Sequence, residues 1–103
     1  MKTCTTKKKP RLSPELMERM ATLLRLLAHP DRLRIIEFLE EAGEAPVHEI
    51  MAETRLAQAV ASQHLNQMKR LDVVHSRRNG KEVWYRIANP SSLFILDCIR
   101  KHS

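Results

Sequence analysis

Residues 57–71 read Ala-Gln-Ala-Val-Ala-Ser-Gln-His-Leu-Asn-Gln-Met-Lys-Arg-Leu. Wound as a helix from Val60, they divide into two faces. Val60, Ala61, His64, Leu65, Met68 and Leu71 fall within about 0–140° and form the inward side. Gln58, Ala59, Ser62, Gln63, Asn66, Lys69 and Arg70 fall within about 160–300°. This second face is rich in hydrogen-bonding groups and carries no acid. Gln and Asn can pair bidentately with adenine edges, Ser can bond a base or a phosphate, and Lys and Arg neutralise phosphates. A merely solvated helix face normally mixes in Glu. The expectation is a recognition helix for double-stranded DNA.

The neighbouring segments fit that expectation. A short helix from about His48 to Thr54 stands two or three residues upstream, the spacing of a helix-turn-helix. Further upstream, Ser13-Pro14-Glu15 is a helix start, with a hydroxyl cap, a proline at the first helical position and an acid in the first turn. Leu16, Met20, Leu23, Leu24 and Leu27 then make one apolar stripe. Pro30 breaks that helix and opens another, with Leu33, Ile36, Phe38 and Leu39 recurring until Gly43 ends it. Ala45-Pro46 reads as a turn.

After Leu71 the apolar period changes to two. Val73 to Arg78 and Lys81 to Ile87 read as strands around an Asn79-Gly80 type I′ turn. Pro90 opens a last amphipathic helix through Ile99. The fold class is mostly α with a β-hairpin wing: helix, helix, helix, helix, hairpin, helix, a winged helix-turn-helix. Arg77, Arg78 and Lys81 bracket the hairpin tip and would reach phosphates or the minor groove beside the site read by the helix. Arg86 ranks below them, because Glu82 sits on the same face of its strand.

At 103 residues and a net charge of +6 the chain is one small basic domain, preceded by a basic arm over residues 1–12 and running over 13–103. The signs are segregated. Residues 1–34 hold nine bases and three acids, residues 35–54 hold six acids and no base, and residues 55–103 hold nine bases and three acids. Such segregation produces an oriented field that guides a polyanion to one face. Two glycines, Gly43 and Gly80, cannot build a phosphate-cradling loop, which excludes Rossmann and P-loop chemistry. Four scattered aromatics exclude a base-stacking sheet. No stretch is apolar enough to span a membrane, no signal peptide is legible, and two cysteines 94 positions apart fit a reducing cytoplasm.

Three blocks resemble the ArsR/SmtB family of bacterial winged-helix repressors. They are His29-Pro30-Asp31-Arg32-Leu33-Arg34-Ile35-Ile36; Val60-Ala61-Ser62-Gln63-His64-Leu65 with Met68 and Leu71-Asp72-Val73-Val74; and Arg78-Asn79-Gly80-Lys81 leading into Trp84-Tyr85-Arg86-Ile87. The resemblance covers about residues 14–100. Asp72 departs from it, standing where such proteins usually have Gly at a left-handed helix end that Asp tolerates. The resemblance implies a homodimer built on the first and last helices, two recognition helices in successive major grooves, and repression relieved by an inducer. The interface would then include Leu16, Met20, Leu23, Leu24, Leu27, Leu93, Leu96 and Ile99. His64, an inward, partly buried imidazole on its helix, would also approach the DNA backbone.

The inducer stays open. The family's thiolate site would need cysteines where this chain has Pro46 and His48, and its C-terminal site would need Asp and His near Asn89 and Ser91, leaving His102 alone. No metal and no cofactor is therefore expected, the open alternative being a soft-metal site from Cys4, Cys98 and His102, of which the last two lie one helical turn apart. Cys4 and Cys98 allow a redox role, beside the plainer reading of Cys98 as a packed small hydrophobe and Cys4 as an incidental thiol. An enzyme is excluded on residue placement. His48-Glu49 lacks the second histidine of a zincin helix at Ala52, and Ser62 and His64 diverge on their helix. The remaining rival is a winged-helix protein-interaction module, which an acid-rich face on residues 57–71 would have favoured.

Overall fold

The computed structural model describes residues 9–103. Lys9 to Leu12 are exposed and irregular, and Cys4 lies outside the described residues. Helix α1 (Pro14–Leu27) starts at Ser13, whose hydroxyl accepts from the Leu16 amide at 3.1 Å. Helix α2 (Pro30–Ala42) starts at His29, whose Nδ1 accepts from the Asp31 amide at 3.2 Å, so an imidazole acts as the cap. It ends at Gly43, with φ 80°, a conformation natural to glycine.

Strand β1 (Glu44–Pro46) follows, where the sequence suggests a turn. Helices α3 (Val47–Thr54) and α4 (Gln58–Arg70) come next, joined by three residues. Arg55 closes α3 in the left-handed conformation at φ 60°, its N–H donating to the Met51 carbonyl at 2.7 Å. Strands β2 (Val74–Asn79) and β3 (Glu82–Ile87) form the wing, and α5 (Ser91–Lys101) ends the fold.

The sheet has three antiparallel strands in the order β1-β3-β2. Pro46 cannot donate to a ladder, and β1 sits at the edge where that costs nothing. At the tip Asn79 pairs with Glu82, so the two central residues are Gly80 and Lys81. Gly80 has φ 66°, and neither Asn79 nor Lys81 has positive φ. That is the dihedral pattern of a type II′ turn, displaced by one residue from the expected I′ turn at Asn79-Gly80.

The core gathers Leu27, Ile35, Ile36 and Leu39 from the first two helices, Ile50 from α3, Leu65 and Met68 from α4, and Val73 and Val74 from the wing. Truncating such a side chain to Ala costs about 2–5 kcal/mol. Two residues placed inward by the helical wheel are exposed: Val60 at 40% and Leu71 at 45%. Val60 lies in the first turn of α4 and Leu71 is its C-cap, where the wheel gives direction but neighbouring elements no longer supply depth. Asp72 adopts φ 59°, the left-handed helix end expected of it. The described residues extend over 57 × 30 × 20 Å with a radius of gyration of 16.4 Å, against about 13 Å for a compact domain of 100 residues.

Candidate nucleic-acid interface

Helix α4 packs Ala61, Leu65 and Met68 into the core and turns the opposite face to solvent. Gln58, Ala59, Gln63, Asn66, Lys69 and Arg70 are exposed, and Ser62 is half-buried among them. Among the described residues, no hydrogen bond or ion pair engages the polar side chains of this face. Its first turn has no acid and no side-chain cap, while Lys69 and Arg70 occupy the last turn. The free amides of an uncapped N-terminus are ready donors for a phosphate.

The wing tip presents Arg78 and Lys81, both exposed. Arg77 does not join them. Its Nε and Nη2 donate to the two carboxylate oxygens of Glu44 at 2.7 and 2.8 Å, and its guanidinium carbon lies 5.6 Å from the centroid of the Trp84 ring. The bonds from Arg77 hold the Glu44 carboxyl below the usual carboxylate range and raise Arg77 in turn. Arg77 therefore spans the wing from β2 to β1, a correction to its expected place at the tip. Glu82 is also committed elsewhere, with the His48 Nδ1 at 3.0 Å rather than Arg86.

His64, partly buried on the sequence reading, is 7% exposed and offers little surface to a DNA backbone. Burial, then the charge of Arg32, push it below its ordinary value. Its Nδ1 accepts from Arg32 Nε at 3.0 Å. With His29 and Asp31 it forms a group whose ligand-type atoms lie within 4.8 Å of one another. Both imidazoles already use Nδ1 as an acceptor, so in the neutral ring the proton sits on Nε2. A metal ion would have to break those bonds beside a guanidinium, and the group does not suit one.

Four of the six acids of residues 35–54 gather away from the outer face of α4. Glu37, Glu40, Glu41 and Glu53 surround a cleft of about 460 Å³ with Arg34, Phe38, Thr54 and Arg100, and no candidate DNA-contacting residue lines it. Of the apolar residues expected at a dimer interface, Leu23, Leu27 and Leu96 are buried at 6%, 2% and 6% and are spent inside the protomer. Leu16, Met20 and Leu93 are half-buried, while Leu24 and Ile99 are exposed. Met17 and Phe94, which the sequence reading left out, are exposed at 52% and 70%. Cys98, one turn from Phe94 on α5, is exposed, so the protomer does not pack it as a small hydrophobe.

The family described as "Bacterial regulatory protein, arsR family" matches residues 29–76, the span from the α2 cap into the wing. The transcriptional repressor PagR of Bacillus anthracis is 39% identical over 74 residues, covering 72% of this chain and 74% of PagR. The chain belongs to the ArsR family. Its fold superposes on the crystal structure of PagR with a TM-score of 0.76, over 84% of this chain and 99% of that one at 33% identity. A homodimeric winged helix-turn-helix DNA-binding domain from Mycobacterium bovis gives a TM-score of 0.72, over 84% and 79% of the two chains at 29% identity. The HTH-type transcriptional repressor SmtB of Mycobacterium tuberculosis is 39% identical over 75 residues, 73% of this chain. This ArsR-family chain spans about half the length of SmtB, 55%.

The sequence reading missed Arg32, His29 and Gln67. Gln67 is half-buried, and its Oε1 accepts from Arg32 Nη2 at 2.7 Å. The available signal was a polar pair one turn apart, His64 and Gln67, at the inward edge of α4.

Proposed function

We propose that this ArsR-family chain is a homodimeric, sequence-specific DNA-binding repressor of transcription. Helix α4 reads the major groove of a palindromic operator, and Arg78 and Lys81 bind the flanking backbone. The observation that carries this reading is the acid-free outer face of α4, whose donors are unengaged among the described residues. The exposed Met17, Leu24, Phe94 and Ile99 on α1 and α5 support self-association, as does the elongated protomer. No helix among the described residues is long and apolar enough to cross a membrane. The related proteins are regulators, and the activity is binding rather than catalysis.

Selection of bound duplexes from a random pool tests the reading. A palindrome with half-sites about one helical turn apart, or a multiple of it, is the expected product. Recovery of no enriched sequence would leave the winged helix as a protein-interaction module.

A further inference from the structure

Arg32 opens α2 and turns its guanidinium under the fold. Nη1 donates to the Leu26 carbonyl at 3.0 Å, Nε to His64 Nδ1 at 3.0 Å and Nη2 to Gln67 Oε1 at 2.7 Å. Leu26 lies in the last turn of α1, where carbonyls have no partner within the helix. His64 and Gln67 stand one turn apart on α4. One side chain thus joins the end of α1, the start of α2 and the middle of α4.

A guanidinium is planar, and its donors leave in fixed directions. Three acceptors on one fork therefore fix an angle as well as a distance. We propose that Arg32 is a positioning residue for DNA binding: it sets α4 relative to the dimer-forming helix α1, and so sets the half-site spacing that the dimer accepts. The inference rests on the DNA-binding reading above and goes beyond it, because it gives a role to a side chain whose guanidinium is engaged inside the protomer rather than on the outer face of α4.

His64 makes the clasp conditional, because it can accept from Arg32 only while its Nδ1 is unprotonated. The His29 and His64 rings pack edge to face, with centroids 4.5 Å apart. The charged and titratable groups facing His64 are Arg32, His29 and Asp31, and of these Asp31 alone favours a proton on it. A proton on His64 would set an imidazolium N–H against a guanidinium N–H. Acid then opens the clasp, whereas a His64 that touched phosphate directly would bind DNA more tightly in acid.

The test uses the full chain on duplexes whose half-site spacing changes one base pair at a time. Wild type, Arg32→Lys, Gln67→Ala and His64→Asn are compared, with folding checked by circular dichroism and mass by light scattering. Lys supplies the charge, but its three donors leave one rotatable nitrogen and lack the planar fork that reaches three separated acceptors. Arg32→Lys should bind the preferred spacing about tenfold more weakly, comparable to losing one charge-assisted hydrogen bond. Its spacing profile should be flatter and its affinity for scrambled DNA unchanged. Gln67→Ala, which removes one leg, should shift the profile in the same direction and serves if Arg32→Lys fails to fold. Asn retains an acceptor and cannot titrate. Between about pH 7.5 and pH 5.5, the affinity of wild type relative to His64→Asn should fall about threefold or more.

A wild-type spacing profile in both Arg32→Lys and Gln67→Ala overturns the proposal, as does a wild-type affinity that rises in acid relative to His64→Asn. If wild type binds no duplex better than scrambled DNA, the DNA-binding reading falls and takes the proposal with it. Specific binding by wild type that the variants match removes the proposal alone.

Discussion

Arg77 grips Glu44 with two hydrogen bonds, at 2.7 and 2.8 Å, and thereby ties the middle of β2 to the start of β1 across the strand between them. Arg77→Ala should lower the melting temperature yet leave the salt dependence of DNA binding nearly unchanged. The Glu44 carboxyl is held below its ordinary value, so the tie stabilises the fold fully above the ordinary carboxylate range and is lost as pH falls through the depressed value. The melting difference between wild type and Arg77→Ala should therefore shrink in acid. Arg78→Ala and Lys81→Ala should each flatten the log–log salt slope by about two, one contact per half-site.

In the proposed function, base reading belongs to α4. Gln63→Ala and Ser62→Ala should each relax preference at particular base pairs by about 1–3 kcal/mol, measured against a panel of single-substitution operators. Arg78→Ala should weaken all sequences about equally. Altered base preference in Arg78→Ala, with none in Gln63→Ala, would move the groove contacts to the wing.

Self-association should depend on the exposed apolar side chains of α1 and α5. Leu24→Glu and Phe94→Glu change side chains that are 51% and 70% exposed in the protomer, so each variant should fold. Light scattering at micromolar concentration should show wild-type dimers and variant monomers. Cys98 sits one turn from Phe94, and a thiol reagent should label it faster in the monomeric variants than in wild type.

Asp72 holds φ 59°, where a side chain costs up to about 1–2 kcal/mol and Gly costs nothing. Asp72→Gly should raise stability by about 0.5–1 kcal/mol in denaturant titration. The contact it removes, to His75 at 3.8 Å, is long and exposed and contributes little.

His64 gives folding stability its own pH dependence. Its value in the folded chain is lowered, so on acidification the unfolded chain takes up this proton first. Stability should be constant above the ordinary histidine range and decline as pH falls through it, by no more than about 1.4 kcal/mol per pH unit. His64→Asn should abolish that decline in urea titrations run across the range.

The helices were legible because their stop and start signals are local: the hydroxyl of Ser13, the rings of Pro14 and Pro30, and Gly43 act within a turn of where they stand. The outer face of α4 was legible for a similar reason, since its period and its lack of acid belong to one segment. Strand β1 was not, because three residues ending in Pro46 carry no alternation and pair only when β3 offers an edge. The tip turn moved by one residue because strand register, set by Val74 opposite Ile87 and its neighbours, outweighs the preference of an Asn-Gly pair. The Arg32 clasp was illegible because its acceptors on α4 lie 32 and 35 positions away, and only packing brings them together.

The ties of the wing, Arg77 to Glu44 and His48 to Glu82, leave only Arg78, Asn79, Gly80 and Lys81 between them along the chain. Length can therefore be added at that tip without loosening anything anchored below it. Neighbouring residues in a strand point to opposite faces, so each strand can gain residues in pairs while keeping every existing side chain on its own side. A single-residue insertion within one strand would instead need a bulge. Wing length in descendants of this chain should therefore drift in even steps per strand, with operator-flank affinity tuned at the tip while the hydrophobic core stays untouched.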